Sequence, residues 1–122
     1  MKLIHAGAHR GIDFATVVIL VLTPLVAHLG GLIAVVLILL AIVHLILTLA
    51  TRFTPGGSGA VSLWTHGIVE LVVAVALVAA PFVFGFGPGT PARRAYVFLG
   101  ALIFLVWLLT DYGERSTAVA RA

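Results

Sequence analysis

Two pairs of residues in this chain have the types and spacing for chemistry: His9 with Asp13, and His66 with Glu70, each an imidazole followed four positions later by a carboxylate. Residues four apart share one face of an α-helix, so each pair would present a nitrogen base and an acid side by side. Imidazole nitrogen with carboxylate oxygen is a ligand set that suits zinc or iron, which makes His9, Asp13, His66 and Glu70 a candidate set for a divalent metal. The Glu-x-x-His spacing usual for carboxylate metal sites in helical bundles is absent. A b-type haem is the alternative cofactor, with His44 as the buried axial ligand and His9 or His66 facing it. A third chemistry is proton- or cation-coupled transport carried by Glu70, with Thr48 extending the His44 stripe toward Arg52. Against these stands a plainer reading without any cofactor. A His–acid pair one turn apart near a membrane edge can simply cap and solvate a helix start, or tie helices together through hydrogen bonds that average only about 0.6 kcal/mol in membranes.

The elements that must position these residues follow from composition. The 122 residues are 62% hydrophobic and only 9% charged, with no cysteine, whereas an average soluble domain is roughly 25% charged. A soluble core of this size could not hide so much apolar surface, so the bilayer must act as solvent. Disulfides and thiolate metal sites are excluded, and the seven Lys and Arg are scattered over ends and loops rather than gathered in a nucleic-acid patch.

Four stretches have the length of roughly 20 mainly apolar residues that a spanning helix needs: 12–29, 32–51, 61–84 and 95–112. Helices are required because an open strand would leave backbone groups unpaired in lipid. Leu29-Gly30-Gly31-Leu32 reads as a tight turn, and 54–59 and 85–91 as Gly- and Pro-rich exits from the membrane. Trp64, Tyr96 and Tyr112 fall near span ends, where aromatic rings with a polar edge prefer the interface, while Trp107 lies deeper and reads as packing. At 1.5 Å per residue, Glu70 sits roughly 9 Å inward of Trp64 and His44 about 12 Å inward of Arg52. A charge near the bilayer centre costs at least about 2.5–3.5 kcal/mol, which draws attention to every ionisable residue in or beside a span, including His28 and Asp111.

Orientation follows the basic residues. With the amino terminus inside, Lys2, Arg10, Arg52, Arg115 and Arg121 are cytoplasmic and Arg93 and Arg94 are outside, so N-in, C-in is expected. The opening stretch could be taken for a secretory signal peptide, but its pattern recurs later in the chain. A shift of 57 residues places His9 on His66, Asp13 on Glu70, Pro24 on Pro81 and Gly30 on Gly87. The chain therefore reads as one membrane domain over 1–122, containing a duplicated hairpin with repeats at about 9–53 and 66–113. Two spans per repeat make the hairpins parallel rather than inverted. The expected fold is an all-α, integral membrane four-helix bundle, with His9, Asp13, His44, Thr48, His66 and Glu70 in its cytoplasmic half. Pro24 and Pro81 should kink or end helices one and three, and Gly100 and Ala101 should let a neighbouring helix approach closely.

Residues His66-Gly67-Ile68-Val69-Glu70, the run Ala79-Ala80-Pro81-Phe82-Val83-Phe84-Gly85-Phe86, then Leu99-Gly100-Ala101 and Leu108-Leu109-Thr110-Asp111-Tyr112 resemble the SPW-repeat family of small bacterial multi-pass membrane proteins. The resemblance covers about 65–113 clearly and the first half as an echo. The family takes its name from Ser-Pro-Trp at the end of the first helix of each repeat; here those positions read Thr23-Pro24-Leu25 and Ala80-Pro81-Phe82, so only the proline is kept. The resemblance implies a multi-pass location in the bacterial cytoplasmic membrane and assigns no biochemical activity. No P-loop, nucleophile elbow or HExxH motif is present, so an enzyme is not expected. The spans are Val, Leu, Ile and Ala nearly all round. The leading expectation is accordingly a non-enzymatic accessory or scaffold subunit, packed against lipid and against itself or other membrane subunits, with no nucleic-acid partner. Haem- or metal-based electron transfer and Glu70-dependent transport are the alternatives.

Overall fold

The computed structural model describes residues 2–113. Arg115 and Arg121, two of the five basic residues used for orientation, lie outside the described residues. The chain forms α1 (Ala6–Val26), α2 (Gly31–Ala50), a two-residue strand β1 (Thr51–Arg52), a second strand β2 (Val61–Ser62), α3 (Leu63–Val83) and α4 (Pro91–Leu109). All four helices are long and apolar enough to cross a membrane.

Local chemistry sets the helix ends. The His5 ring accepts from the Ala8 amide at 3.2 Å, Ser62 Oγ from Thr65 at 3.1 Å and Thr90 Oγ1 from Arg93 at 3.3 Å, each satisfying a first-turn N–H that has no intrahelical partner. At the other ends α1 and α3 close alike. The Leu29 amide donates to the Pro24 carbonyl at 2.8 Å and the Phe86 amide to the Pro81 carbonyl at 2.7 Å. The residue before each donor is left-handed, His28 at φ 52° and Gly85 at φ 70°, as a C-cap of this kind requires. The prolines therefore sit in the last turn, where the helix stops two residues beyond each. His28 is an exposed turn residue, remote from any cluster.

The expected span 12–29 starts too late, because α1 begins at Ala6. Counting polar residues as a boundary left His9 and Arg10 outside the span, whereas both are inside the helix and His9, like Asp13, is buried. The spans 61–84 and 95–112 likewise run past their helices. Val61 and Ser62 are extended, and Thr110–Tyr112 leave the helix to pair with the amino-terminal segment. The linker after α2 does more than exit: β1 and β2 pair in parallel, Thr51 with Val61 and Arg52 with Ser62, and Phe53 folds inward to 8% exposure. An equivalent parallel bridge joins Ile4 to Thr110.

The apolar core lies toward the Pro24 and Pro81 end, formed by Leu20, Leu37, Ala41, Ala74, Leu77, Tyr96, Leu99 and Ile103. Gly100 makes the close approach expected of it: a Cβ there would fall 2.8 Å from the Ala74 carbonyl oxygen and 2.9 Å from the Val78 nitrogen. Ala101, by contrast, is exposed. Tyr96, expected at an interface, is buried and donates its hydroxyl to the Ile33 carbonyl at 2.7 Å, tying α4 to α2. The outward faces carry large exposed apolar residues on every helix, among them Leu25, Leu39, Val72 and Phe98.

Candidate functional site

Each of three helices turns one stripe inward, apolar at one end and ionisable at the other. On α1 the buried stripe reads His9, Asp13, Thr16, Leu20, Pro24; on α2, Leu37, Ala41, His44, Thr48; on α3, His66, Gly67, Glu70, Ala74, Leu77, Pro81. A spacing of three or four puts these on one face. Antiparallel packing within each hairpin then brings the polar ends of all three stripes together, where α1 and α3 begin and α2 ends.

There, His9 Nε2 lies 3.1 Å from Asp13 Oδ1 and 3.2 Å from Glu70 Oε2. His66 Nε2 lies 3.2 Å from Asp13 Oδ2 and 3.6 Å from Glu70 Oε1. Each imidazole thus faces the acid of its own helix and that of the other. His44 Nε2 adds a contact of 3.6 Å to Asp13 Oδ1. His9, Asp13, His66 and Glu70 are all at most 3% exposed, and each offers a ligand atom within 4.8 Å of the others. Among the described residues neither carboxylate has a Lys or Arg in ion-pair range; every charged partner is an imidazole.

The far sides of the rings are held as firmly. His9 Nδ1 is 2.8 Å from Thr110 Oγ1, and His66 Nδ1 is 2.8 Å from Thr51 Oγ1. Both hydroxyls donate to the carbonyl one turn back, Thr51 to Leu47 and Thr110 to Val106, each at 2.6 Å. A hydroxyl has one proton, so each threonine accepts from its histidine, Nδ1 carries the hydrogen, and Nε2 is left facing the acids of the cluster. Although Nε2 of His9, His44 and His66 lie within ion-pair range of carboxylates, none has an aligned hydrogen bond, and Asp13 Oδ1 is likewise unpartnered among the described residues. Buried polar atoms without partners are rare enough to need a reason.

The acids are supported too. Tyr112 donates to Glu70 Oε2 at 2.6 Å. Burial, with the Glu70 carboxylate beside it, pushes the Tyr112 phenol above its ordinary value, so that it remains a donor. Thr48 gives its proton chiefly to the His44 carbonyl at 2.8 Å, with a longer contact of 3.4 Å to Asp13 Oδ2. Aromatic rings seal the cluster: Phe53 stacks edgewise on His66 with centroids 5.6 Å apart, and Tyr112 on His9 at 5.5 Å. Gly67 makes room for Tyr112, since a Cβ there would be 2.8 Å from Cε1.

All six sequence candidates, His9, Asp13, His44, Thr48, His66 and Glu70, meet in this cluster. Asp111 does not; it accepts from the Gly113 amide in a local turn at 3.0 Å. Sequence reasoning missed Thr51, Thr110, Phe53 and Tyr112 as participants. A signal was present: Thr-x-aromatic follows α2 as Thr51-Arg52-Phe53 and α4 as Thr110-Asp111-Tyr112. These recur at an offset of 59 rather than 57, because the second hairpin is two residues longer between its matched points, and a fixed shift passes over them. The chain has no match among protein-family models, curated proteins or solved structures.

Proposed function

We propose that this chain is a multi-pass protein of the cytoplasmic membrane, made of two parallel copies of one hairpin, whose working part is a buried cation-binding centre at the membrane edge where both hairpins begin. Four apolar helices of spanning length support the location, as do the resemblance to SPW-repeat proteins over 65–113 and the bias of basic residues toward the amino-terminal end. The recurrence of helix cap, Thr–His bond and His–acid pair in both halves supports the duplication.

The single observation that carries the function is the convergence of two carboxylates and three imidazoles, with unpartnered Nε2 atoms, inside an apolar bundle. Ionisable groups at membrane depth are expensive and would be replaced by Leu or Val if packing were their whole purpose. Haem fits less well. Asp13 stands within 3.6 Å of the Nε2 of His44, His9 and His66 alike, and the His44 and His66 ring centroids are only 6.1 Å apart, so a porphyrin between His44 and either partner would have to displace the acid. A scaffold role in a larger complex is the second reading, favoured by the large apolar residues exposed on all four helices; it is compatible with a bound cation.

Native mass spectrometry on protein released gently from its own membranes tests the proposal. The expected spectrum is a protomer or small oligomer carrying an added small mass, lost in Glu70→Gln. A bare wild-type protomer would overturn it, and co-migration with larger subunits would add the scaffold role.

A further inference from the structure

Building on the reading of the cluster as a cation-binding centre, we infer that the cation is one divalent transition-metal ion. Its ligands are His9 Nε2, His66 Nε2 and one oxygen each of Asp13 and Glu70, with His44 Nε2 as an adjoining fifth donor.

Four features of the cluster point to that chemistry. The first is direction. The Thr51 and Thr110 hydroxyls are already committed as donors to Leu47 and Val106, so both imidazoles carry hydrogen on Nδ1 and turn Nε2, a lone pair whenever the ring is neutral, toward the acids. Nε2 stands 3.1–3.2 Å from carboxylate oxygen without an aligned hydrogen bond, and in the neutral ring that contact sets two acceptors face to face. A metal ion is the partner that satisfies both at once, and a metal-bound histidine characteristically donates its other ring N–H to an oxygen in this way.

The second is spacing. Nitrogen and oxygen ligands about 2.0–2.1 Å from a central ion stand roughly 3.3–3.4 Å apart at tetrahedral angles. The four nitrogen-to-oxygen separations here are 3.1, 3.2, 3.2 and 3.6 Å. These alternate around a ring, His9 to Asp13 to His66 to Glu70 and back to His9, each carboxylate turning one oxygen to each imidazole, and one ligand atom from every residue lies within 4.8 Å of the other three, so one ion can serve all four.

The third is charge. With the imidazoles neutral, as ligation requires, the two carboxylates hold two negative charges at no more than 3% exposure, without a Lys or Arg in range among the described residues. A doubly charged ion balances them, as the low dielectric of a bundle interior requires. The fourth is donor type. Magnesium and calcium take oxygen ligands, while two or three imidazoles select zinc and the later first-row ions.

The halves are not equivalent around this ion. In the first half α2 supplies His44 and Thr48 beside Asp13; in the second, Tyr112 from beyond α4 supports Glu70. His44 therefore lets the site take a fifth ligand on the Asp13 side alone. With every donor buried and all four main ligands from protein, the site has the closed character of one that holds its ion, in contrast to a hydrolytic site that keeps a coordination position open.

Tag-free protein in detergent micelles, stripped with a chelator and titrated with cobalt(II) chloride, tests the inference. One equivalent should bind, with the intense visible absorption of a four- or five-coordinate nitrogen and oxygen site, displaceable by zinc. Thr110→Val, which removes the partner of His9 Nδ1 but no ligand atom, should weaken binding about 10–100-fold, the usual loss for an outer partner, while the circular dichroism of the chelated protein stays as in wild type. Glu70→Gln should abolish stoichiometric binding. If folded wild-type protein binds no cobalt, or binds it equally well in Glu70→Gln and Thr110→Val, the metal assignment is overturned. A wild-type protein that takes no cobalt but carries another cation in its native mass spectrum would overturn the metal and leave the cation-binding centre standing; a bare protein would remove both.

Discussion

His9 and Thr110 stand 101 positions apart in the chain, yet their side chains meet at 2.8 Å. The same bond joins His66 to Thr51 at 2.8 Å. The threonine ending each hairpin thus holds the histidine beginning the other, so the two halves close into a ring around the four ionisable side chains. Each bond removes an Nδ1–H from an apolar interior and fixes which nitrogen faces the acids. Thr51→Val and Thr110→Val should each leave a buried donor unsatisfied, at about 1–3 kcal/mol. Thermal unfolding in detergent should show similar losses for both. A loss in only one would mean that the two bonds are not equivalent.

The contact of Gly67 with the Tyr112 ring gives a second expectation. Gly67→Ala puts a methyl 2.8 Å from Cε1 and should push the tyrosine off Glu70, at about 1–3 kcal/mol of overpacking. Gly11→Ala, where a Cβ meets nothing within 4 Å, is the control and should be neutral or slightly stabilising. In a double-mutant cycle with Tyr112→Ala, the Gly67→Ala cost should shrink markedly, because the two residues touch; an undiminished cost would place the strain elsewhere.

Close approach of α3 and α4 at Gly100 is less forgiving, because two of the three obstacles are backbone atoms of Ala74 and Val78. Gly100→Ala should therefore cost more than Gly67→Ala, and spin labels on the outer faces of α3 and α4 should move apart. Equal stability with unchanged label distances would show that the helices adjust freely.

The left-handed residues that end α1 and α3 should respond in opposite directions. Gly85 at φ 70° tolerates no Cβ without strain, whereas His28 at φ 52° already bears one. Gly85→Ala should lose about 1 kcal/mol and His28→Gly should gain a comparable amount. Cation binding should be the same in both, since this turn lies at the end of the bundle opposite the His–acid cluster; altered binding would bring His28 back into consideration.

Because the chain has no cysteine, single cysteines at Ser58 and Gly89 can be labelled from each side of sealed vesicles. These lie in loops at opposite ends of the helices. Ser58 should react from the cytoplasmic side and Gly89 from the other. Labelling of both from one side would contradict a spanning bundle.

What the residues alone determined is the set of properties that local spacing controls. Mean hydropathy and run length settle four helices of spanning length. The interval of four between His9 and Asp13, and between His66 and Glu70, settles that each pair shares a face, because 3.6 residues per turn leaves no other outcome. Even the proline positions and the Gly85 turn are written in the chain, since a cap depends on residues within one or two turns. What only the tertiary structure decided is how separate stripes meet. His44 sits across from Asp13 because α2 packs antiparallel to α1, and Thr110 reaches His9 because the end of α4 pairs with Ile4. Hydropathy could not anticipate that α1 extends to Ala6. It scores His9 and Asp13 as polar wherever they stand, while in the bundle each is surrounded by partners from other helices. The bare Nε2 atoms lie furthest from sequence of all, for their direction follows from two threonine hydroxyls that long-range packing brings to the far side of each ring.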